Sequence, residues 1–108
     1  MGYYKVKQRT NGDYMFNLHA GNHQIILTSQ GYKSKDSCMN GVVSCQNNSS
    51  DDGKYERKTS SNDKDYFSLK AANGKIIGSS EMYERTAGME NGVESCKKHG
   101  PSTEVKED

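Results

Sequence analysis

Long apolar runs are missing from this sequence, and so is any surplus of one charge. No stretch approaches the roughly 20 apolar residues that span a bilayer as a helix, so no membrane span is expected. The opening Met1-Gly2-Tyr3-Tyr4-Lys5-Val6 lacks the apolar core of a signal peptide. Val6 also stands where a myristoylation pattern requires Ser or Thr. The expected location is the cytoplasm. Apolar residues are scarce overall, at 31% of 108 residues, and Ser, Asn and Gly fill the deficit. The chain has the length of one ordinary domain, and its core must be thin and local. Fifteen basic residues face fourteen acidic ones, for a net charge of +1, and the signs interleave, as from Asp51 to Lys58. Nucleic-acid affinity comes largely from neutralising phosphates. No basic stripe runs along the chain, so nucleic acid is not an expected partner.

The motifs of chemistry are missing too. Three cysteines, Cys38, Cys45 and Cys96, are an odd number without paired close spacing. That is a poor disulfide framework, and free buried thiols in a reducing compartment are the expectation. His19 and His23 are four apart but fall on a strand and its turn, with no third ligand near in sequence. A zinc or copper site needs three or four ligands, so solvated histidines are expected. Asn73-Gly74-Lys75-Ile76 contains Gly-Lys, but Ile76 stands where a phosphate loop needs a hydroxyl for magnesium. Glu81, Glu84 and Glu90 are read as surface charge. No catalytic residue, cofactor or metal is expected.

What is present is a duplication. Gly41-Val42-Val43-Ser44-Cys45 returns as Gly92-Val93-Glu94-Ser95-Cys96, an offset of 51 residues. The same offset carries Tyr4 to Tyr55, Phe16 to Phe67, Leu18 to Leu69, Ala20 to Ala71, Ile25-Ile26 to Ile76-Ile77 and Tyr32 to Tyr83. It holds without a gap through apolar, turn and aromatic positions, so two copies of one unit lie end to end. Repeat one covers about 2–52 and repeat two about 53–103, with a short C-terminal tail.

Each unit reads as three strands and a helix. The first strand is 3–8, and Asn11-Gly12 supplies the left-handed positions of a tight hairpin turn. Tyr14, Phe16, Leu18 and Ala20 alternate on one face of the second strand. A turn at Asn22-His23, matched by Asn73-Gly74, leads into a β-branched third strand at 24–29, repeated at 75–80. Cys38, Val42 and Cys45 then mark one helical face, repeated by Met89, Val93 and Cys96. Ser34 is the expected cap of the first helix and Thr86 the nearest candidate for the second. Gly41 and Gly92 inside the helices imply close packing against the sheet. One unit buries too little to stand comfortably alone. The expected fold is therefore a single α+β domain over 1–108. Its two tandem three-strand-plus-helix repeats share one antiparallel sheet about a pseudo-two-fold axis, with two helices packed on it. The tail Thr103-Glu104-Val105-Lys106 falls where a third copy would start, and is expected to add a short edge strand that closes the pseudo-symmetry.

Polar and aromatic residues shared by both copies cluster at the strand-to-helix connection: Ser29 and Ser80, Tyr32 and Tyr83, Asn40 and Asn91. Local capping and packing account for such residues. As a functional surface they would form two equivalent grooves, each with a tyrosine at its lip.

The string from Tyr66-Phe67-Ser68-Leu69-Lys70-Ala71-Ala72-Asn73-Gly74-Lys75 through Ile76-Ile77-Gly78-Ser79-Ser80-Glu81-Met82-Tyr83, followed by Asn91-Gly92-Val93-Glu94-Ser95, resembles the YegP-like family of uncharacterised bacterial proteins. The first copy matches it more loosely. The resemblance covers nearly the whole chain and implies tandem repeats whose strands build a shared sheet with helices packed on it. Cys45 and Cys96 stand where the family more often has valine, which supports reading them as core filler. The resemblance carries over no activity, since fold alone licenses none. The function expected is a small non-enzymatic binding or interaction module, monomeric or weakly dimeric. An enzyme acting on a small polar metabolite and weak nucleic-acid binding are the alternatives.

Overall fold

Alternating side chains and one turn residue per hairpin set the strands of the computed structural model, which describes residues 2–107. Repeat one contains β1 (Tyr3–Gln8), β2 (Tyr14–His19), β3 (Ile25–Ser29) and α1 (Lys35–Asn48). A short 3₁₀ turn at Asp52–Lys54 leads into β4 (Tyr55–Thr59), β5 (Asp65–Lys70), β6 (Ile76–Ser79) and α2 (Thr86–His99). The tail forms β7 (Val105–Glu107). Each of the four hairpin turns places one residue in the left-handed region: Gly12, His23, Asp63 and Gly74. The first turn differs from the expected two-residue form. Gly12 N–H donates to the Arg9 carbonyl at 3.0 Å and Arg9 N–H donates to the Asp13 carbonyl at 2.6 Å. Only Gly12 of the Asn11-Gly12 pair has positive φ, so the loop is longer and bulged.

The strands join in the order β4-β5-β6-β3-β2-β1-β7. Six are antiparallel neighbours, and the sheet is mixed because β7 runs parallel to β1, pairing Tyr4 with Val105 and Val6 with Glu107. The tail thus adds the expected edge strand, but it breaks the pseudo-symmetry instead of closing it. The 3₁₀ turn that precedes β4 folds back on itself where the tail runs on. The pseudo-two-fold axis lies at the β3–β6 seam, where Thr28 pairs with its own repeat mate Ser79. Both helices cover one face, each lying on strands of its own repeat and reaching across the seam to the other.

Helix α1 starts as its sequence predicts, with Ser34 Oγ accepting from Ser37 N–H at 3.1 Å. Helix α2 does not. Arg85 takes the N-cap position without a side-chain cap, and Thr86, the first helical residue, donates its hydroxyl to Asp65 Oδ2 at 2.6 Å. The buried faces are Cys38, Gly41, Val42 and Cys45 on α1, and Met89, Gly92, Val93 and Cys96 on α2. The helix glycines make room for the connecting tyrosines. A Cβ at Gly92 would lie 2.5 Å from Tyr83 Oη and 3.1 Å from a Phe67 ring carbon, and one at Gly41 would meet Tyr32 and Phe16 in the same way.

At the axis, repeat mates meet each other, and glycine resolves the collision. A Cβ at Gly78 would fall 2.6 Å from the Thr28 carbonyl oxygen and 3.2 Å from Cγ of Leu27, its own mate. A Cβ at Gly100 would fall on Ser49, again its mate. The helix ends are fixed symmetrically beside it. Tyr4 Oη donates to the Gly100 carbonyl and Tyr55 Oη to the Ser49 carbonyl, both at 2.6 Å.

Candidate functional site

A cleft of about 480 Å³ opens where the β2–β3 hairpin of repeat one meets α2 and the β6–α2 connection of repeat two. Ala20, Ile25 and Ile26 give it apolar area, and Gly88 and Gly92 expose bare helix backbone. Register explains why the hairpin reaches it. A bulge between Leu18 and His19 pairs Leu18 with Leu27 but His19 with Ile25. The extra residue, Ile26, is buried alongside Leu27.

The polar lining comes from Tyr83, Glu81, Asn91 and Ser95. Tyr83 is placed by paired backbone bonds to Asp65, at 2.7 and 2.9 Å. Burial, then the Glu81 carboxylate, then Cys96 push its phenol above the ordinary value. It is therefore a protonated hydrogen-bond donor at neutral pH. No described residue hydrogen-bonds the Tyr83 hydroxyl, the Glu81 carboxylate, the Asn91 amide or the Ser95 hydroxyl. Several polar groups without protein partners thus converge beside an apolar surface, within the size range of small-ligand sites.

The six shared residues divide by role. Ser29 Oγ accepts from Phe16 N–H at 2.9 Å and donates to the Gln30 carbonyl. Ser80 Oγ accepts from Phe67 N–H at 3.0 Å and donates to the Glu81 carbonyl. Both serines secure backbone where the ladder ends. Tyr32, like Tyr83, lies over its helix glycine, and Asn40 and Asn91 are exposed on the helices. Of the six, Tyr83 and Asn91 line the cleft. Glu81, Ser95 and the hairpin residues were not singled out from sequence, because the cleft joins one repeat's hairpin to the other's helix. The offset itself carries a signal. Around α1 the mates are Gln30 for Glu81, Ser37 for Gly88, Lys75 for Gln24 and Gly74 for His23. The Ser37 and Ser44 hydroxyls there are engaged by Ser34 and Asn48.

His19 is not solvated as expected. It is buried, stacked on Tyr3 with centroids 4.8 Å apart, and its Nδ1 is 2.9 Å from the His23 carbonyl oxygen. Among the described residues no three His, Cys, Asp or Glu side chains come together as a metal set. The thiols are free and buried. Burial pushes Cys45 up to about 12 and Cys96 to about 11, from an ordinary 9.0, and raises Cys38. Because the folded values lie above the unfolded one, the unfolded chain ionises first. The stability the thiols contribute is whole below the unfolded value and is lost as pH rises through the folded values. An aromatic disulfide reagent at about pH 8 should label none of the three until denaturant is added. The melting temperature should fall only in alkali, above the ordinary thiol range. Labelling of Cys45 or Cys96 in the folded protein would show that the core opens locally.

The family described as "Domain of unknown function (DUF1508)" matches the chain twice, over residues 10–56 and 60–107. Each match opens at a hairpin turn and closes on the strand after a helix, a different phasing of the same repeat. A UPF0339 protein of Acinetobacter baylyi is 49% identical over 106 residues, covering 98% of this chain and 96% of its own length. The UPF0339 protein YegP of Escherichia coli is 44% identical over 106 residues, with the same coverage of 98% and 96%. The solution NMR structure of a UPF0339 protein from Shewanella oneidensis superposes with a TM-score of 0.93 at 43% identity, covering 98% of this chain and 90% of that one. That of Escherichia coli YegP, titled a protein of unknown function, gives 0.94 at 44% identity, covering 99% and 92%. With its whole length matched by relatives and both halves by one family, the chain belongs to the DUF1508 family of uncharacterised YegP-like proteins.

Proposed function

We propose that this protein is a non-enzymatic binding module of the cytoplasm whose two repeats act as one domain, with the cleft beside α2 as its ligand seat. The observation that carries this reading is the convergence of unpartnered polar groups, Tyr83 Oη, Glu81, Asn91 and Ser95, on apolar area from Ala20 and Ile26. The ligand is a small polar molecule with an apolar portion. Its donors face Glu81, and its apolar part lies on the isoleucine. The altered mates around α1 support one such seat, since Lys75 and Gln30 replace Gln24 and Glu81 there.

Titration of labelled protein with polar metabolites, followed by amide chemical shifts, tests this. Shifts should concentrate at His23, Gln24, Glu81, Asn91 and Ser95. Tyr83→Phe with Asn91→Ala should weaken the interaction about ten-fold or more, with the fold intact. Shifts that map elsewhere would refute the seat. Turnover of the ligand, lost on Glu81→Gln, would favour an enzyme instead.

A further inference from the structure

Both helices lie on one side of the sheet, which leaves the other face open. Strand alternation decides what that face carries. Tyr4, Val6, Phe16, Leu18, Tyr55, Phe67 and Leu69 point into the core. Their neighbours therefore point out. One row crosses all seven strands and is wholly polar: Lys106, Lys5, Asn17, Thr28, Ser79, Ser68 and Glu56, each paired with the next. Lys7 and Lys58 flank this row, and Lys70 faces the same side, with Nζ 2.7 Å from Glu56 Oε2. Five lysines thus share the face with two carboxylates, Glu56 and Glu104. A chain of net charge +1 concentrates its basic side chains on one surface, although they are scattered in sequence.

Aromatic rings lie among these lysines. Lys106 Nζ sits 4.3 Å over the Tyr3 ring, whose other partner is His19, and Lys58 Nζ sits 5.8 Å from the Tyr66 centroid. A cation above a ring occupies the place that a stacked base takes. A lysine that swings aside meets a phosphate as the base arrives.

We infer that the open sheet face binds single-stranded nucleic acid. The strand lies along the polar row, with phosphates on Lys5, Lys7, Lys58 and Lys106 and bases against Tyr66 and Tyr3. The charge of the face selects a polyanion. The rings and the row of hydroxyl and amide groups select one with accessible bases. A broad sheet does not enter a duplex groove, so duplex is disfavoured.

The test is fluorescence anisotropy of a labelled 12-nucleotide oligo(dT) and oligo(U) against salt, with duplex DNA, heparin and anionic phospholipid vesicles as competitors. Binding should be micromolar at low salt and fall steeply with it. Lys7→Gln with Lys58→Gln should flatten the salt dependence by about one unit of log–log slope. Tyr66→Ala should lower affinity about ten-fold and leave that slope unchanged, a split that a merely electrostatic surface would not give. Amide exchange and melting would confirm that each variant is folded. No retention at low salt overturns the inference. So do shifts confined to the helix face, or competition by heparin or vesicles with Tyr66→Ala silent, which would mean an undifferentiated polyanion surface.

Discussion

Gly100→Ala should lower stability by about 3 kcal/mol, because the added methyl meets the residue's own repeat mate. Gly100 is buried at the C-cap of α2 with φ −57° and ψ −37°, a conformation open to any residue. Helix propensity alone would favour alanine by about 1 kcal/mol, so a large loss can only be steric. The methyl would overlap Cβ and Oγ of Ser49 and come within 2.8 Å of the Cys96 carbonyl oxygen. Ser49 cannot rotate out of the way, since its Cβ is part of the clash. Its hydroxyl is buried without a partner, a further cost in the native state. Ser49→Gly should therefore be close to neutral alone and should restore most of the loss in the double variant. The coupling should be of order 2 kcal/mol in a double-mutant cycle. Thermal melting checks it, with an expected drop of roughly 10–20 °C for Gly100→Ala. An unchanged melting temperature, or no rescue, would show that the helix ends are not packed against each other.

Gly78→Ala should cost a similar amount, on the order of 3 kcal/mol, by a different route. Its methyl would meet backbone, lying 2.6 Å from the Thr28 carbonyl oxygen and 3.1 Å from its carbon. No rotamer relieves that contact; the two repeats must move apart. The seam has little to hold it: Thr28 pairs with Ser79, Ser29 with Gly78, and Gln30 N–H donates to Ile77 O at 3.3 Å. Hydrogen exchange should accelerate at Gln30 and its neighbours ahead of β1 and β5, and the melting temperature should fall. Unaltered exchange at the seam would mean that β3 and β6 are not in contact as described.

The local patterns were legible in the sequence. The alternation at Tyr14, Phe16, Leu18 and Ala20 gave the core face of β2, and the spacing of Cys38, Val42 and Cys45 gave that of α1. Ser34 caps α1 because a hydroxyl one turn before its acceptor is a short-range feature. Thr86 failed as a cap because Asp65, twenty-one residues away, takes its hydroxyl. The candidate cleft was half legible. Tyr83 and Asn91 stood out through their repetition, whereas Glu81 and Ser95 gained meaning only when the other repeat's hairpin arrived beside them.

By itself the sequence determined the duplication, the strand and helix periods, the thin shared core and the burial of the thiols. Each of these follows from residues a few positions apart or from one constant offset. Only the tertiary structure decided how the copies meet. It put Gly78 and Gly100 where a side chain would strike its own mate, sent the tail along β1 in parallel, and joined a hairpin to a foreign helix as a cleft. It also turned interleaved charge into a basic sheet face, because a two-residue period sends alternate side chains to opposite sides. Which side is open depends on where both helices land, and that is fixed by packing across the seam.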